Sequence, residues 1–123
     1  MLLFIILKQR IKKGENMIQV KNKKISMYEG DTGEFPVTLI GDLEEGDKLE
    51  FRIKENLDDI STVYSYSYDA DSTVVISITS SISALLTNDT TGDKTYYYGF
   101  KFKRGTYIDT VLGVGEFIIK KGV

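Results

Sequence analysis

The chain contains no histidine, no cysteine and no tryptophan, and only one proline among its 123 residues. Without cysteine it can form neither a disulfide scaffold nor a thiolate metal site. Because histidine is absent as well, the usual ligands of transition metals are missing. We therefore expect no metal and no cofactor, and the residue types give no positive sign of an enzyme.

The chain also lacks an excess of positive charge. Its formal net charge is −2, and residues 17–123 alone carry −5. Nucleic-acid binding needs a basic face that complements the phosphates. We expect an acidic, soluble domain with no nucleic-acid partner.

Residues 1–16 differ in composition from the rest. A short apolar run, Leu2 to Leu7, precedes the basic residues Lys8, Arg10, Lys12 and Lys13. A secretory signal has the opposite order, and six apolar residues are far fewer than the ~20 that span a bilayer. We expect no membrane segment.

Gly14 and Glu15 can be encoded by a ribosome-binding sequence just before Met17, so we hypothesise that Met17 is the natural start. The alternative is a disordered tail.

Residues 17–123 have the length of a single domain. Their apolar residues alternate with polar ones at period two, which is typical of half-buried β-strands. The spacing of the turn signals predicts an all-β fold, an antiparallel immunoglobulin-like β-sandwich of about seven strands with one short helical turn. We predict strands over 18–20 with 24–28, 34–40, 48–54, 60–68, 73–79, 94–103 and 107–120, and the helical turn over 80–86.

The clearest alternation lies in 48–54 and 94–103. It predicts that Phe51 and Tyr98 belong to the core. The second of these strands and the last one, joined by a turn at Arg104 and Gly105, should form a long hairpin. Gly113 and Gly115 interrupt the last strand, which suggests a β-bulge.

Three tyrosines, Tyr64, Tyr66 and Tyr68, share one face of a predicted strand. If they are exposed, they form an aromatic strip that could stack on sugars or make a protein interface. If they are buried, they belong to the core, and the serines between them face water. We favour the core interpretation and keep the three tyrosines as the candidate interface.

The acidic residues give no catalytic pattern. They fall in predicted turns, where Asp and Asn bond their own backbone. The segment 88–93 resembles a calcium loop only faintly, because regularly alternating ligands and a distal glutamate are missing. We predict no catalytic residue.

The order of these signals resembles the N-terminal domain of phage baseplate upper proteins and related small phage-tail proteins. The resemblance covers nearly all of 17–123. It rests on EGDT at 29–32 with FPVTL at 35–39, on GDKLEFRIK at 46–54, and on the end of the chain from 92 to 119. It implies a non-enzymatic structural protein of a phage tail, baseplate or tail-like particle, made in the bacterial host cytoplasm. It further implies partners among other tail or baseplate proteins and a homo-oligomeric state.

Two other functions stay open at this point. The first is a carbohydrate- or surface-binding sandwich that uses the tyrosine strip. The second is a small phage-encoded inhibitor of a host protein, with which the acidic charge is compatible.

Overall fold

The structure is a computed structural model that describes residues 4–7, 19–21 and 23–121, the first two stretches by their backbone alone. Its strands are β1 (Phe4–Leu7), β2 (Gln19–Lys21), β3 (Lys24–Tyr28), β4 (Gly33–Ile40), β5 (Lys48–Lys54), β6 (Tyr64–Asp69), β7 (Thr73–Ile78), β8 (Lys94–Arg104) and β9 (Tyr107–Lys120). One short helix, α1 (Ser80–Ser83), follows β7. This helix confirms the predicted helical turn, and Thr79 at its N-terminus forms no side-chain capping hydrogen bond. Within these stretches no helix is long and apolar enough to cross a membrane.

The strands form two sheets, so the predicted all-β sandwich is confirmed. One sheet has the order β2-β3-β9-β8-β5-β6, and the other has the order β1-β4-β7. Without β1 and β2 the two sheets contain five and two strands. All pairings are antiparallel except that of β3 with β9, which is parallel. Alternation cannot reveal this pairing, because it joins distant segments and uses the intervening chain as the crossover.

The core lies between the sheets and is filled by alternate residues of each strand. Along β5 the buried residues are Leu49, Phe51 and Ile53, and along β8 they include Tyr98 and Phe100. Phe51 and Tyr98 are 0 % and 2 % exposed, which confirms both core predictions. The ring of Phe51 lies 5.1 Å from that of Phe100, and such aromatic pairs add stability beyond area burial alone.

The predicted strand over 60–68 begins later than expected, at Tyr64. Asp59 Oδ2 accepts a hydrogen bond from the backbone N–H of Asn56 at 2.9 Å, which holds the preceding segment in a turn. Ile60 is consequently 97 % exposed and belongs to the loop between β5 and β6. Its apolar side chain suggested a strand residue, but the turn chemistry before it decides the local conformation.

The N-terminal stretch Phe4–Leu7 pairs antiparallel with β4, from Phe4 opposite Ile40 to Leu7 opposite Val37. The prediction assigned residues 1–16 to translated upstream sequence or a disordered tail. Most of that segment lies outside the described residues. The hypothesis that Met17 is the natural start stays a prediction.

Candidate functional site: the edge of the six-stranded sheet at β6

The three candidate tyrosines lie on the core-facing side of β6. The strand pairs with β5, and its register places Tyr64 opposite Ile53, Tyr66 opposite Phe51 and Tyr68 opposite Leu49. Residues opposite each other in an antiparallel pair share a face of the sheet. Since the β5 partners are buried core residues, the tyrosines face inward and Ser65 and Ser67 face outward.

The tyrosines differ in how deeply they are buried. Tyr64 and Tyr68 are half-buried and pack against the core, and the Tyr64 ring meets Phe51 edge-on at 6.4 Å. Burial, reinforced by Tyr68, raises the pKa of Tyr64 to about 12, so its phenol is neutral at physiological pH. Tyr66 is 53 % exposed and leans on the ring of Tyr68 at 4.7 Å. Two of the three rings, those of Tyr64 and Tyr68, therefore pack against the core, and the ring of Tyr66 is exposed to solvent.

The reason for this mixed burial is the unequal width of the two sheets. The smaller sheet ends at β7, and the Tyr68 hydroxyl accepts a hydrogen bond from the backbone N–H of Ser77 on that strand at 3.4 Å. The backbone N–H of Ser77, at the edge of β7, is therefore bonded to Tyr68. Tyr66 has the same orientation from the sheet but keeps half of its surface exposed. Alternation could place the three rings on one face, but it could not show how far the opposing sheet extends.

The outer side of β6 is a free strand edge. β6 is the last strand in the order of its sheet, and among the described residues no further strand pairs with it. The backbone N–H of Ala70 donates to the carbonyl of Asp47 at 2.9 Å. Every second residue before Ala70 therefore directs its backbone N–H and C=O toward β5. It follows that the backbone groups of Tyr66 and Tyr68 face β5, whereas those of Ser65 and Ser67 face the free side.

This edge carries little of the protection that strand edges usually have. Natural edges are blocked by lysine, proline, bulges or covering loops. β6 has the sequence YSYSYD, and its one charged residue, Asp69, forms an ion pair with Lys48. Ile60, an apolar side chain of the preceding loop, is 97 % exposed. The free edge, Tyr66 and Ile60 make up what we call the β6 surface.

An acidic residue in each of three predicted turns forms a hydrogen bond or an ion pair. Asp59 bonds the backbone of Asn56, and Asp71 bonds that of Ser72. Asp89 lies 3.4 Å from the ammonium of Lys94. Across the described ranges no three acidic side chains lie close enough together to hold a metal ion.

The loop over 88–93 is organised by Asn88, which is 2 % exposed. Its Nδ2 donates to the carbonyls of Gly92 at 2.7 Å and Ile119 at 2.9 Å, while its Oδ1 accepts from the backbone and the hydroxyl of Thr90. The side-chain oxygen that a calcium ion would need is thus already used inside the loop. Asn88 ties the loop to the end of β9, which is a structural role.

Sequence reasoning missed an ion pair between a buried aspartate and a half-buried arginine at the other end of the sheet. Arg104 donates from Nε to Asp47 Oδ1 at 2.8 Å and from Nη2 to Asp47 Oδ2 at 2.7 Å. The backbone N–H of Glu44 bonds the same carboxylate at 2.7 Å. The hydrogen bonds from Arg104 are the main reason that the pKa of Asp47 falls to about 2. The pair fixes the loop before β5 to the hairpin turn, and only the fold could reveal a partner 57 residues away.

The fold and this surface define a β-sandwich with an exposed strand edge at β6. No family model, no curated protein and no solved structure matches the chain.

Proposed function

We propose that this chain is a non-enzymatic structural protein of a phage tail, baseplate or tail-like particle, and that it assembles through the β6 surface. The observation that carries the proposal is the unprotected edge of β6 beside the half-exposed ring of Tyr66. An added strand would bond the outward backbone groups of Ser65 and Ser67, as in other cases of strand addition. The placement in a tail particle rests on the family resemblance of 17–123.

The composition of the β6 surface suits a protein partner. Tyrosine is enriched in protein interfaces, where its ring supplies area and its hydroxyl stays hydrated. The exposed apolar side chain of Ile60, in the loop before this edge, adds an anchor. A sugar-binding strip is less well supported, because Tyr64 and Tyr68 already pack against the core and Tyr66 alone offers a largely open ring.

The proposal is tested by light scattering over a concentration series, together with capture of partners from a particle lysate. Ser67→Pro removes one outward N–H from the edge without removing a bond to β5, and Tyr66→Ser removes the exposed ring. We expect the molar mass of the wild-type protein to rise with concentration and both variants to stay smaller. Retention of the thermal transition shows that the variants are folded.

Two matched controls separate the edge from general effects. Ser61→Pro places the same residue in the loop before the strand, and Tyr107→Ser removes a tyrosine that is 49 % exposed at the hairpin turn. Both should associate like the wild-type protein. A wild-type protein that stays monomeric and captures a host protein instead of a tail component would contradict the proposal and favour the inhibitor hypothesis.

A further inference from the structure

A groove on the outer face of the six-stranded sheet lies where β8 and β9 pair irregularly. The register shifts on either side of Phe100, and one residue of β8, Gly99, faces both Gly113 and Val114. A Cβ built on Gly99 would lie 2.8 Å from the carbonyl oxygens of Leu112 and Gly113, so this position requires glycine. Gly99 lines the groove on the outer face between Tyr97 and Lys101. β-Bulges of this kind often lie beside functional sites.

Three cationic side chains line this groove. Arg52 lies opposite Gly99 in the register of β5 with β8, and Lys54 lies opposite Tyr97. The third cation is Lys101. Neither Lys54 nor Lys101 forms an ion pair with any residue of the described stretches. The Nε of Arg52 is buried without a hydrogen-bond acceptor, although Glu50 Oε1 lies 3.3 Å away as an ion-pair partner.

No acidic side chain lines the groove. Glu50 is opposite Lys101 in register, but its carboxylate is 3.1 Å from the ammonium of Lys103. Glu50 also pairs with Arg52, which leaves Lys54 and Lys101 as the groove cations without an acidic partner in the described stretches. In a chain with a net charge of −2, such a groove is a local exception that attracts anions.

The remaining walls set the size and character of the ligand. Tyr97, Leu57 and Val114 give apolar surface, and Thr110 adds a hydroxyl. The groove has a volume of about 160 Å³, close to the ~150 Å³ that holds a benzene molecule in an engineered cavity. It is open to solvent on one side.

We propose that this groove is a binding site for a small organic anion, with a carboxylate, sulfate or phosphate group on a body about the size of a six-membered ring. The oxyanion would lie among Arg52, Lys54 and Lys101, where charge-assisted hydrogen bonds are stronger than neutral ones. The body would lie against Tyr97 and Val114. The site is independent of the β6 surface and of the assembly proposed there.

Benzoate is a suitable probe because it combines both features, and benzyl alcohol is its uncharged counterpart. In ¹H–¹⁵N spectra at constant ionic strength, we expect benzoate to shift the amide resonances of Gly99 and Gly113 saturably, while Gly92 in a distant loop stays unchanged. Benzyl alcohol should give much smaller shifts. The double variant Lys54→Gln/Lys101→Gln should bind benzoate about tenfold more weakly, because two charge-assisted contacts are lost.

The matched control is Lys23→Gln/Lys24→Gln, which changes the net charge equally at two exposed positions outside the groove. It should bind benzoate within about twofold of the wild-type protein, since distant exposed charges are screened. The proposal is overturned if the two double variants bind benzoate equally, if benzyl alcohol binds as well as benzoate, or if the shifts rise linearly without saturation.

Discussion

At the scale of single residues, the polar side chains that matter most hold loops to the sheet. Asp47 and Asn88 are 3 % and 2 % exposed, and each satisfies several partners at once. Buried polar groups are costly unless their hydrogen bonds are made. Both residues lie in segments that looked like ordinary polar loops. Their importance follows from partners that the fold brings close, such as Arg104 for Asp47.

The ion pair of Asp47 predicts a specific dependence of stability on pH. The pKa of this carboxyl is about 2 in the folded chain and about 4 when unfolded. A lowered folded-state pKa contributes stability that is fully present above pH ~4 and is lost as the pH falls through ~2. We expect urea unfolding to show that the advantage of the wild-type protein over Asp47→Asn is largest above pH 4 and shrinks toward pH 2.

The Asp47→Asn side chain keeps the volume and one acceptor oxygen, so it removes the charge together with one of the two acceptor atoms that Arg104 uses. Asp58→Asn, at an exposed turn position, serves as the control and should leave the pH profile nearly unchanged. If the difference between wild type and Asp47→Asn is the same at every pH from 5 to 2, the ion pair does not act as described.

At the scale of elements, the alternation of apolar and polar residues located the strands that have one buried face and one solvent-exposed face. The bounds predicted for 48–54 are those of β5, and those for 94–103 differ from β8 by one residue. Alternation failed where turn chemistry took over, as at Ile60. It also could not give the order of strands in a sheet, so the free edge of β6 and the exposed ring of Tyr66 had to come from the structure. The groove around Gly99 was equally hidden, because it depends on residues of three strands.

Gly113 and Gly115 of β9 differ in how much space a side chain would have. A Cβ on Gly115 would lie 2.3 Å from the ring of Tyr98, whereas one on Gly113 would have its nearest neighbour at 3.9 Å. The Tyr98 ring cannot retreat easily, since it is buried and its hydroxyl donates to the carbonyl of Lys23 at 2.6 Å. Gly115 is therefore a packing requirement of the core.

We accordingly expect Gly115→Ala to destabilise the protein by roughly 1–3 kcal/mol in urea unfolding, the usual range for overpacking a core. Gly92→Ala is the matched control, because a Cβ there meets nothing within 4 Å. It should change the free energy of unfolding by less than about 0.5 kcal/mol. Equal effects of the two substitutions would show that the Tyr98 ring can move aside at little cost.

At the scale of the whole molecule, the unequal width of the sheets underlies the proposed assembly. β5, β8 and β9 lie inside the larger sheet and carry most of the aromatic core. β6 extends that sheet beyond β7, and its free edge is where we propose that a partner strand binds. The basic groove lies on the opposite face of the same sheet, which allows the two surfaces to work independently.

The N-terminal segment contributes to stability through one edge strand, β1, of the smaller sheet. β1 adds four paired positions at one edge of the smaller sheet, whereas β4 keeps β7 as its partner along six positions. We therefore expect deletion of residues 1–16 to leave the fold intact and to lower the melting temperature by less than ~5 °C. Ile6→Pro in the full-length chain is the control. Leu39 donates its N–H to Ser72 on the β7 side, so its neighbour Thr38 bonds β1, where it lies opposite Ile6. Proline at position 6 therefore removes a ladder donor without shortening the chain. If the deletion lowers the melting temperature by more than ~5 °C and Ile6→Pro does the same, pairing of β1 with β4 is part of the stable fold.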